Sequence, residues 1–495
     1  MATYVENRTW DSIASDASTD RRGRWLIGTS AVIAAAVRLT FIATGVSMDE
    51  GGYAYVAQQW SRGAHLYGAD WIDRPQGLIL AYRFLLWLGS GTWAIRLGAV
   101  FAGTAITLLL GAIGWMLLDR AAGIVAAALY SVVGIAPHLE GFTFNGELAA
   151  SLPATAAVAA ALAARKSVHP YRWLICAGLL ASGAVTMKQS GMDGFVAGLA
   201  VILATGARRA VVFVAAAAVP VGACAIQGAM TGWHRYWQAL IGYQLAAAGS
   251  GAAGPMVRLR AFMGSLPAVE ADLLVLILAA IAGLYAVRHR RDQLIIMSAW
   301  LAATVIGINL GGYYWGHYYV QCIPPLVLAA SAAIGRLRIV HVRRAAVAAA
   351  CASTLLWLLT LVPDTRTQRQ NTIPEYGRTL RDERIAAAID SMTRPSDRIF
   401  IVFSEADLYW LAQRMSPYPH VWTQPIQKIP GAIVQLDALL SGPTRPALLG
   451  VQQSPGSVDP SGRLAGVIRT NYMLVRTIDG MGLYRPVTVP WDGNR

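Results

Sequence analysis

The residues best able to do chemistry are a few acids and cations scattered widely along the chain. Asp49 and Glu50 are adjacent and run into Gly51-Gly52-Tyr53, and Asp73-Arg74-Pro75-Gln76 follows. Glu147 closes the run Phe142-Thr143-Phe144-Asn145-Gly146-Glu147, and Lys188 precedes Gln189 and Ser190. Arg258, Arg260 and the segment His317-Tyr318-Tyr319 complete the set. A carboxylate held near a hydroxyl can act as a general base. Lysine and arginine can hold a phosphate, the first as a point charge. Each residue also has a purely structural reading. Asp49 can be a solvated helix end, and Glu147 can stabilise a helix N-terminus. Lys188 can snorkel to headgroups, Arg258 and Arg260 can meet lipid phosphates, and a single histidine often serves packing. The two glycines are expected to permit an unusual turn.

The elements that position these residues follow from composition. The chain has 495 residues, of which 55% are apolar and 14% charged. Soluble chains carry about 45–50% apolar and about 25% charged residues. A soluble enzyme, a disordered chain and a small disulfide scaffold are thereby excluded, leaving an α-helical polytopic membrane protein. A helix needs about 20 apolar residues to cross a bilayer. Eleven runs qualify as candidates: 25–46, 93–117, 123–137, 148–164, 173–187, 191–206, 210–229, 268–287, 293–310, 318–335 and 345–363. The first follows Arg21, Arg22 and Arg24 and reads as an anchor, not a cleaved signal.

With a cytoplasmic N-terminus, every second loop should be basic. Those loops contain Arg120; Arg165, Lys166 and Arg172; Arg208 and Arg209; Arg288, Arg290 and Arg291; and Arg336, Arg338, Arg343 and Arg344. They account for the net charge of +14 without a nucleic-acid partner. The run Gly77–Leu88 is too short to span and is expected along the outer surface as a juxtamembrane helix. The expected organisation is a cytoplasmic segment 1–24, a transmembrane domain 25–363 with 47–92 as its first outer loop, and an extracytoplasmic α/β domain 364–495.

Asp49, Glu50, Asp73, Arg74, Glu147, Lys188, Arg258, Arg260 and His317 then lie on the outer side. So do Tyr53, Tyr55, Trp60, Tyr67, Trp71, Trp233, Tyr236, Trp237 and Tyr243, which read as a boundary belt or as rings for stacking a sugar. In the tail, Arg398–Phe403 and Pro446–Val451 read as strands and 406–415 and 431–440 as helices. Met473–Ile478 and Met481–Pro486 read as a hairpin around Asp479-Gly480. Gly249–Pro255 reads as a loop. Cys176, Cys224, Cys322 and Cys351 lack metal-ligand spacing and read as packing residues.

The order of these motifs resembles the polytopic glycosyltransferases of the C-type (GT-C) fold. The resemblance is strongest to the polyprenyl-phosphate sugar transferases that include protein mannosyltransferases and lipid A aminoarabinose transferase. It is carried by Asp49-Glu50 after the first span and by Asp73-Arg74-Pro75, where Gln76 replaces a second proline. Glu147, Met187-Lys188, His317-Tyr318-Tyr319 with Pro324-Pro325, and Tyr409-Trp410-Leu411-Ala412 add to it. It implies a sugar donor on a polyprenyl phosphate, an extracytoplasmic glycan, lipid or protein acceptor, and inversion at the anomeric centre. It implies Asp49 as base, with Glu50 orienting the acceptor or supporting Asp49. Arg74 and Lys188 would hold the phosphate, with Arg258 and Arg260 behind them. Tyr53, Asp73, Glu147, His317 and Tyr318 would line the pocket. No nucleotide-type Gly-rich loop is present in the sequence. A divalent metal is possible, since some members of this fold use one and others do not, and the acids here leave that open. Richness in Ala, Gly and Arg points to a bacterial plasma membrane. Two rival classes remain: a transporter or flippase of lipid-linked sugars, and a noncatalytic assembly subunit. A common cluster of Asp49, Glu147, Lys188 and His317 favours the enzyme.

Overall fold

The computed structural model describes residues 10–249, 254–361, 379–402, 405–452 and 454–487. Each of the eleven apolar runs coincides with a helix. These are α1 (Trp10–Leu39), α4 (Thr92–Leu117), α5 (Arg120–Val133), α6 (Gly146–Lys166), α7 (Pro170–Met187), α8 (Asp193–Leu203), α9 (Ala207–Trp237), α11 (Pro255–Ala286), α12 (Arg291–Gly311), α13 (Ile323–Ile334) and α14 (Val340–Leu361). Six segments are long and apolar enough to cross a membrane: α4, α6, α9 with its continuation, α11, α12 and α14. Three of the others, α5, α8 and α13, have 14, 11 and 12 residues.

Helix α9 does not end where the apolar run does. It passes a kink at Gly232, where φ is 123°, and continues through a π-helical turn, Gln238–Gly242, into α10 (Tyr243–Gly249). The expected loop 249–255 lies largely outside the described residues. Small residues let the helices approach closely, the usual device where hydrophobic burial cannot drive helix association. A Cβ on Gly114 of α4 would lie 2.8 Å from the Gly123 Cα of α5, and one on Gly194 of α8 would lie 2.5 Å from the Ala154 Cα of α6.

Two further helices precede α4: α2 (Met48–Ser61) and α3 (Gln76–Leu88). The expected juxtamembrane helix is α3. The expected turn at Gly51-Gly52 is absent, because both glycines lie inside α2. They are small for a different reason. A Cβ on Gly51 would lie 2.5 Å from the Asp407 Cα, and one on Gly52 would lie 2.9 Å from the Ala406 Cβ. The tail is therefore seated directly on α2.

From Thr379 onward the chain forms a four-stranded sheet in the order β1 (Ile399–Ile401), β2 (Leu448–Val451), β4 (Met481–Pro486), β3 (Tyr472–Ile478). β1 and β2 are parallel, and the other pairs are antiparallel. The hairpin turns at Asp479 (φ 46°) and Gly480 (φ 86°), since two consecutive positive φ values match the right-handed twist of the strands. β1 is buried on both faces. Phe400 packs with Leu436, Leu440, Leu449 and Leu464, whereas Ile399 and Ile401 join the core that includes α2. The expected helix 406–415 shortens to Asp407–Leu411. The expected helix 431–440 is Ala432–Ser441, and helices Thr379–Met392 and Arg463–Asn471 were not anticipated.

The aromatic belt is corrected. Tyr53, Tyr55, Tyr67, Trp71 and Tyr243 are buried in the protein core, while Trp233 and Trp237 are exposed. All four cysteines are free. Cys322 and Cys351 are buried and Cys176 is exposed.

Candidate active site

The site is built on the first turn of α2. Ser47 caps the helix by accepting from the Glu50 N–H, while the Glu50 carboxylate accepts from the Ser47 N–H at 3.0 Å. This reciprocal pairing fixes where the helix starts and so fixes Asp49. Glu50 supports Asp49 through this capping, but turns its carboxylate away from Asp49. Its carboxylate accepts from Arg96 of α4 at 2.9 Å and from the Phe144 N–H at 2.8 Å, and it is fully buried. Arg96 also donates to the Gly45 carbonyl. The pair ties α2, α4 and the segment before α6 together, which is architecture.

Asp49 has different neighbours. The Trp422 indole donates to its Oδ1 at 3.2 Å and the Tyr53 hydroxyl donates to its Oδ2 at 3.4 Å. Burial raises the Asp49 pKa, with His317 and Arg74 pulling it back and Glu140 and Glu147 pushing it up. A carboxylate held above its ordinary range accepts a proton more readily.

Arg74 is presented by the loop between α2 and α3. Its guanidinium pairs with Asp73 at 2.6 Å and donates to the Tyr53 hydroxyl at 3.2 Å. Gln189 donates to the Asp73 carbonyl at 2.6 Å and Gln244 to the Asp73 carboxylate at 2.9 Å. The loop is thereby anchored to two other segments. The Tyr67 hydroxyl donates to the Arg74 carbonyl at 3.1 Å.

Lys188 follows the last turn of α7. It is buried and ion-paired with Glu147 at the start of α6, with its Nζ 4.0 Å from the centre of the Tyr318 ring. Snorkelling is excluded by that burial. Burial lowers its pKa, against the pull of Glu147. Asn145, not Glu147, caps α6 by accepting from the Leu148 N–H at 2.8 Å, which leaves the Glu147 carboxylate for the site.

His317 lies in a short 3-10 segment, Gly316–Cys322, ahead of α13. Its Nδ1 is 3.6 Å from Glu140 and its Nε2 is 3.7 Å from Glu147. Burial would lower its pKa, but Glu147 and Glu140 outweigh that and hold it at about 9. It is therefore an imidazolium at neutral pH. Opposite ring nitrogens facing two carboxylates suit a cation between anions better than a metal ligand, which uses one nitrogen.

Asp49, Tyr53, Asp73, Arg74, Glu147, Lys188, His317 and Tyr318 thus form one cluster from five separate stretches of chain. Two members were not foreseen. Glu140 sits in left-handed backbone (φ 60°), and its carbonyl accepts from Thr143 and Asn145. As the sole acid between α5 and α6, it had a signal in the sequence. Trp422 had none, because only the seating of the tail on α2 brings it to Asp49. Arg258 and Arg260 are corrected in the other direction. Arg258 donates to the Asn309 carbonyl of α12 and Arg260 is exposed.

The supporting shell is also defined. Asp272 of α11 accepts from the backbone N–H groups of His138 and Leu139 at 2.8 and 3.2 Å, and pairs with the His138 ring at 2.7 Å. This fixes the segment that carries Glu140. Among the described residues, one group of three acids is close enough to share a metal ion, namely Asp382, Glu405 and Asp407. It is not part of this cluster.

No protein-family model matches the sequence, and no curated protein matches it. Solved structures do. ArnT from Cupriavidus metallidurans bound to undecaprenyl phosphate superposes with a TM-score of 0.58 and 14% identity, over 94% of this chain and 98% of that one. The archaeal oligosaccharyltransferase AglB from Archaeoglobus fulgidus, in complex with an inhibitory peptide and a dolichol-phosphate, superposes with a TM-score of 0.52 and 11% identity. That match covers 96% of this chain and 75% of that one. Arabinofuranosyltransferase AftD from Mycobacteria gives a TM-score of 0.51 and 15% identity, over 93% of this chain and 41% of that one. The chain has the fold of these membrane transferases, the GT-C fold, and is a multi-pass helical membrane protein.

Proposed function

We propose that this protein is a glycosyltransferase that moves a sugar from a polyprenyl-phosphate carrier to a hydroxyl on an extracytoplasmic glycan, lipid or protein. The observation that carries the reading is the sharing of one half-buried cluster by the Asp49 carboxylate and three cations, Arg74, Lys188 and His317. A base and an anion-binding set are what the transfer requires. The bound lipid carriers of two neighbours with this fold, undecaprenyl phosphate and dolichol-phosphate, support the donor class.

Asp49 takes the proton from the acceptor hydroxyl. The acceptor oxygen forms a bond to the anomeric carbon as the bond from that carbon to the phosphate oxygen breaks. The bonding pair leaves with the polyprenyl phosphate, whose charge Arg74, Lys188 and His317 stabilise in a water-poor setting where such charges act strongly. Approach of the acceptor from the face opposite the phosphate inverts the anomeric centre, as the family resemblance implies. Tyr53 and Trp422 orient Asp49. Glu140 and Glu147 keep His317 protonated, and Glu147 also holds Lys188.

The proposed orientation puts the cluster on the outer side of a bacterial plasma membrane and the N-terminus in the cytoplasm. The basic loops support it. Arg120, Arg165 and Lys166, Arg208 and Arg209, Arg290 and Arg291, and Arg336 lie at the helix ends away from the cluster, where positive charge marks the cytoplasmic side. The test uses purified protein in lipid with polyprenyl-phosphate mannose, arabinose, glucose and galactose and a membrane-extract acceptor. Release of polyprenyl phosphate from one donor, lost in Asp49→Asn, is expected. Donor binding without release from any donor, in a folded protein supplied with acceptor, would reject the transferase.

A further inference from the structure

The tail carries a cleft that the transfer reaction does not use. It lies between the helices Ala432–Ser441 and Arg463–Asn471 and has a volume of about 600 Å³, within the range of about 300–1,000 Å³ typical of small-ligand sites. Leu436, Leu440, Leu464 and Ile468 turn the inner stripes of these two helices onto Phe400 and Leu449 of the sheet, so the cleft runs along their outer stripes. Ile399, Ile401 and Leu448 face the other way, into the core shared with α2. The cleft is therefore on the side of the sheet away from Asp49. Asp437 and Ser441 line one wall, and Arg463, Gly466, Thr470 and Asn471 line the other. Gly466 stands inside a helix, where glycine costs stability relative to alanine. A Cβ there would meet no atom from another part of the chain within 4 Å, so no packing contact within the protein requires a glycine. Asp437 has one carboxylate oxygen that is buried and, among the described residues, receives no hydrogen bond. Burial and the nearby Asp459 push its carboxyl above the ordinary range, against the pull of Arg463. A ligand that donates hydrogen bonds and lies flat on Gly466 would answer both features.

We propose that this cleft binds a neutral oligosaccharide, the distal stretch of the acceptor glycan, and hence that the acceptor is a polymer. The binding stands on the cleft alone, whereas calling the oligosaccharide the acceptor rests on the transferase reading above. Asp437 and Arg463 balance in charge, which disfavours a charged ligand. Ser441, Thr470 and Asn471 add neutral groups that both donate and accept hydrogen bonds, as each hydroxyl of a sugar does. Gly466 leaves the floor bare for a sugar ring, and Val434 and Val467 offer apolar ground to its C–H face. The N-terminus of the helix Arg463–Asn471 could attract an anion, but Asp459 already occupies it by accepting from the Leu464 N–H at 2.9 Å. The thickness of the sheet separates the cleft from Asp49, so one sugar cannot reach both, while a chain of several can. Holding the far part of such a chain raises the effective concentration of its end at the transfer site.

The test is made on the full chain in detergent micelles by calorimetric titration, without donor, with linear mannan, arabinan, glucan and galactan oligosaccharides. The wild type is expected to bind one of them. Asp437→Ala removes a hydrogen bond to a charged group and is expected to bind it about tenfold more weakly. Gly466→Leu fills the floor of the cleft and is expected to bind it more weakly still. Both variants are expected to unfold at no lower temperature than the wild type, because one removes a half-buried charge and the other replaces a glycine inside a helix. Lost binding is thereby separated from lost folding. With polyprenyl-phosphate sugar and the membrane-extract acceptor, both are expected to raise the acceptor KM several-fold at unchanged kcat, the mark of an interaction made equally in the ground and transition states. Absence of binding by every oligosaccharide, or binding undiminished in Gly466→Leu, would overturn the cleft as a glycan site, whatever the outcome for transfer. Diminished binding with an unchanged acceptor KM would overturn its assignment to the acceptor.

Discussion

Glu50 is the residue at which chemistry and architecture separate most cleanly, because it neighbours Asp49 and shares its charge. Its carboxylate and the Arg96 guanidinium are 0% and 1% exposed and 2.9 Å apart. The same carboxylate accepts from the Phe144 and Ser47 N–H groups. Glu50→Gln keeps the shape and one acceptor oxygen but removes the buried carboxylate charge that pairs with Arg96. Removing one member of a buried ion pair costs about 3–5 kcal/mol, and Glu50→Gln is expected to lose that much unfolding free energy. Asp49→Asn keeps an acceptor oxygen for the Trp422 indole and removes a carboxylate whose pKa burial raises, so it is expected to lose little stability, yet it removes the base. Equilibrium denaturation in mixed micelles and polyprenyl-phosphate release on the same preparations read the two effects. Glu50→Gln is expected to be destabilised but active at permissive temperature, and Asp49→Asn stable but inactive. The double variant Glu50→Gln/Arg96→Met removes both charges of the pair and is expected to recover part of the stability, and the resulting cycle measures the pair's coupling. Glu50→Gln that is as stable as wild type and as inactive as Asp49→Asn would refute the structural role.

Gly52→Ala puts a Cβ 2.9 Å from that of Ala406; overpacking of this kind costs about 1–3 kcal/mol, and faster proteolytic release of the tail is the expected readout. Trp422→Phe keeps the ring but removes the donor to Asp49. The acidic limb of the pH–rate profile is expected to move upward by about one unit, since a hydrogen bond to a charged group contributes about 1.5–3 kcal/mol and one pKa unit is about 1.4 kcal/mol; an unmoved limb would remove Trp422 from the site. His317 is held at about 9, above its ordinary 6.5, so its stabilising charge is fully present below 6.5 and lost as pH rises through about 9. Donor affinity should fall over that interval in the wild type, and a His317→Gln variant should bind donor weakly with no such alkaline fall. Lys188→Ala is expected to raise the apparent KM for the donor more than that for the acceptor; an unchanged donor KM would reject its contact with the phosphate.

Each of the eleven apolar runs fell on a helix, six of them long enough to cross a membrane, because a chain in lipid must satisfy its backbone within each segment. The hairpin at Asp479-Gly480 was equally legible, as its turn depends on two adjacent residues. Asp49, Arg74, Glu147, Lys188 and His317 were legible as candidates because ionisable groups are rare in such a chain. Their roles were not. Only the fold shows that Glu50 turns to Arg96 while Asp49 meets Tyr53 and Trp422, and that Gly51 and Gly52 are small because the tail lies against them. Arg258 and Arg260 carry the same charge as Arg74 and Lys188, yet they sit outside the cluster. The sequence by itself determined which groups are charged and at which end of a helix each stands, since those follow from local composition. The tertiary structure alone decided which charges face one another, because that depends on side-chain contacts between residues hundreds of positions apart, which leave no local pattern.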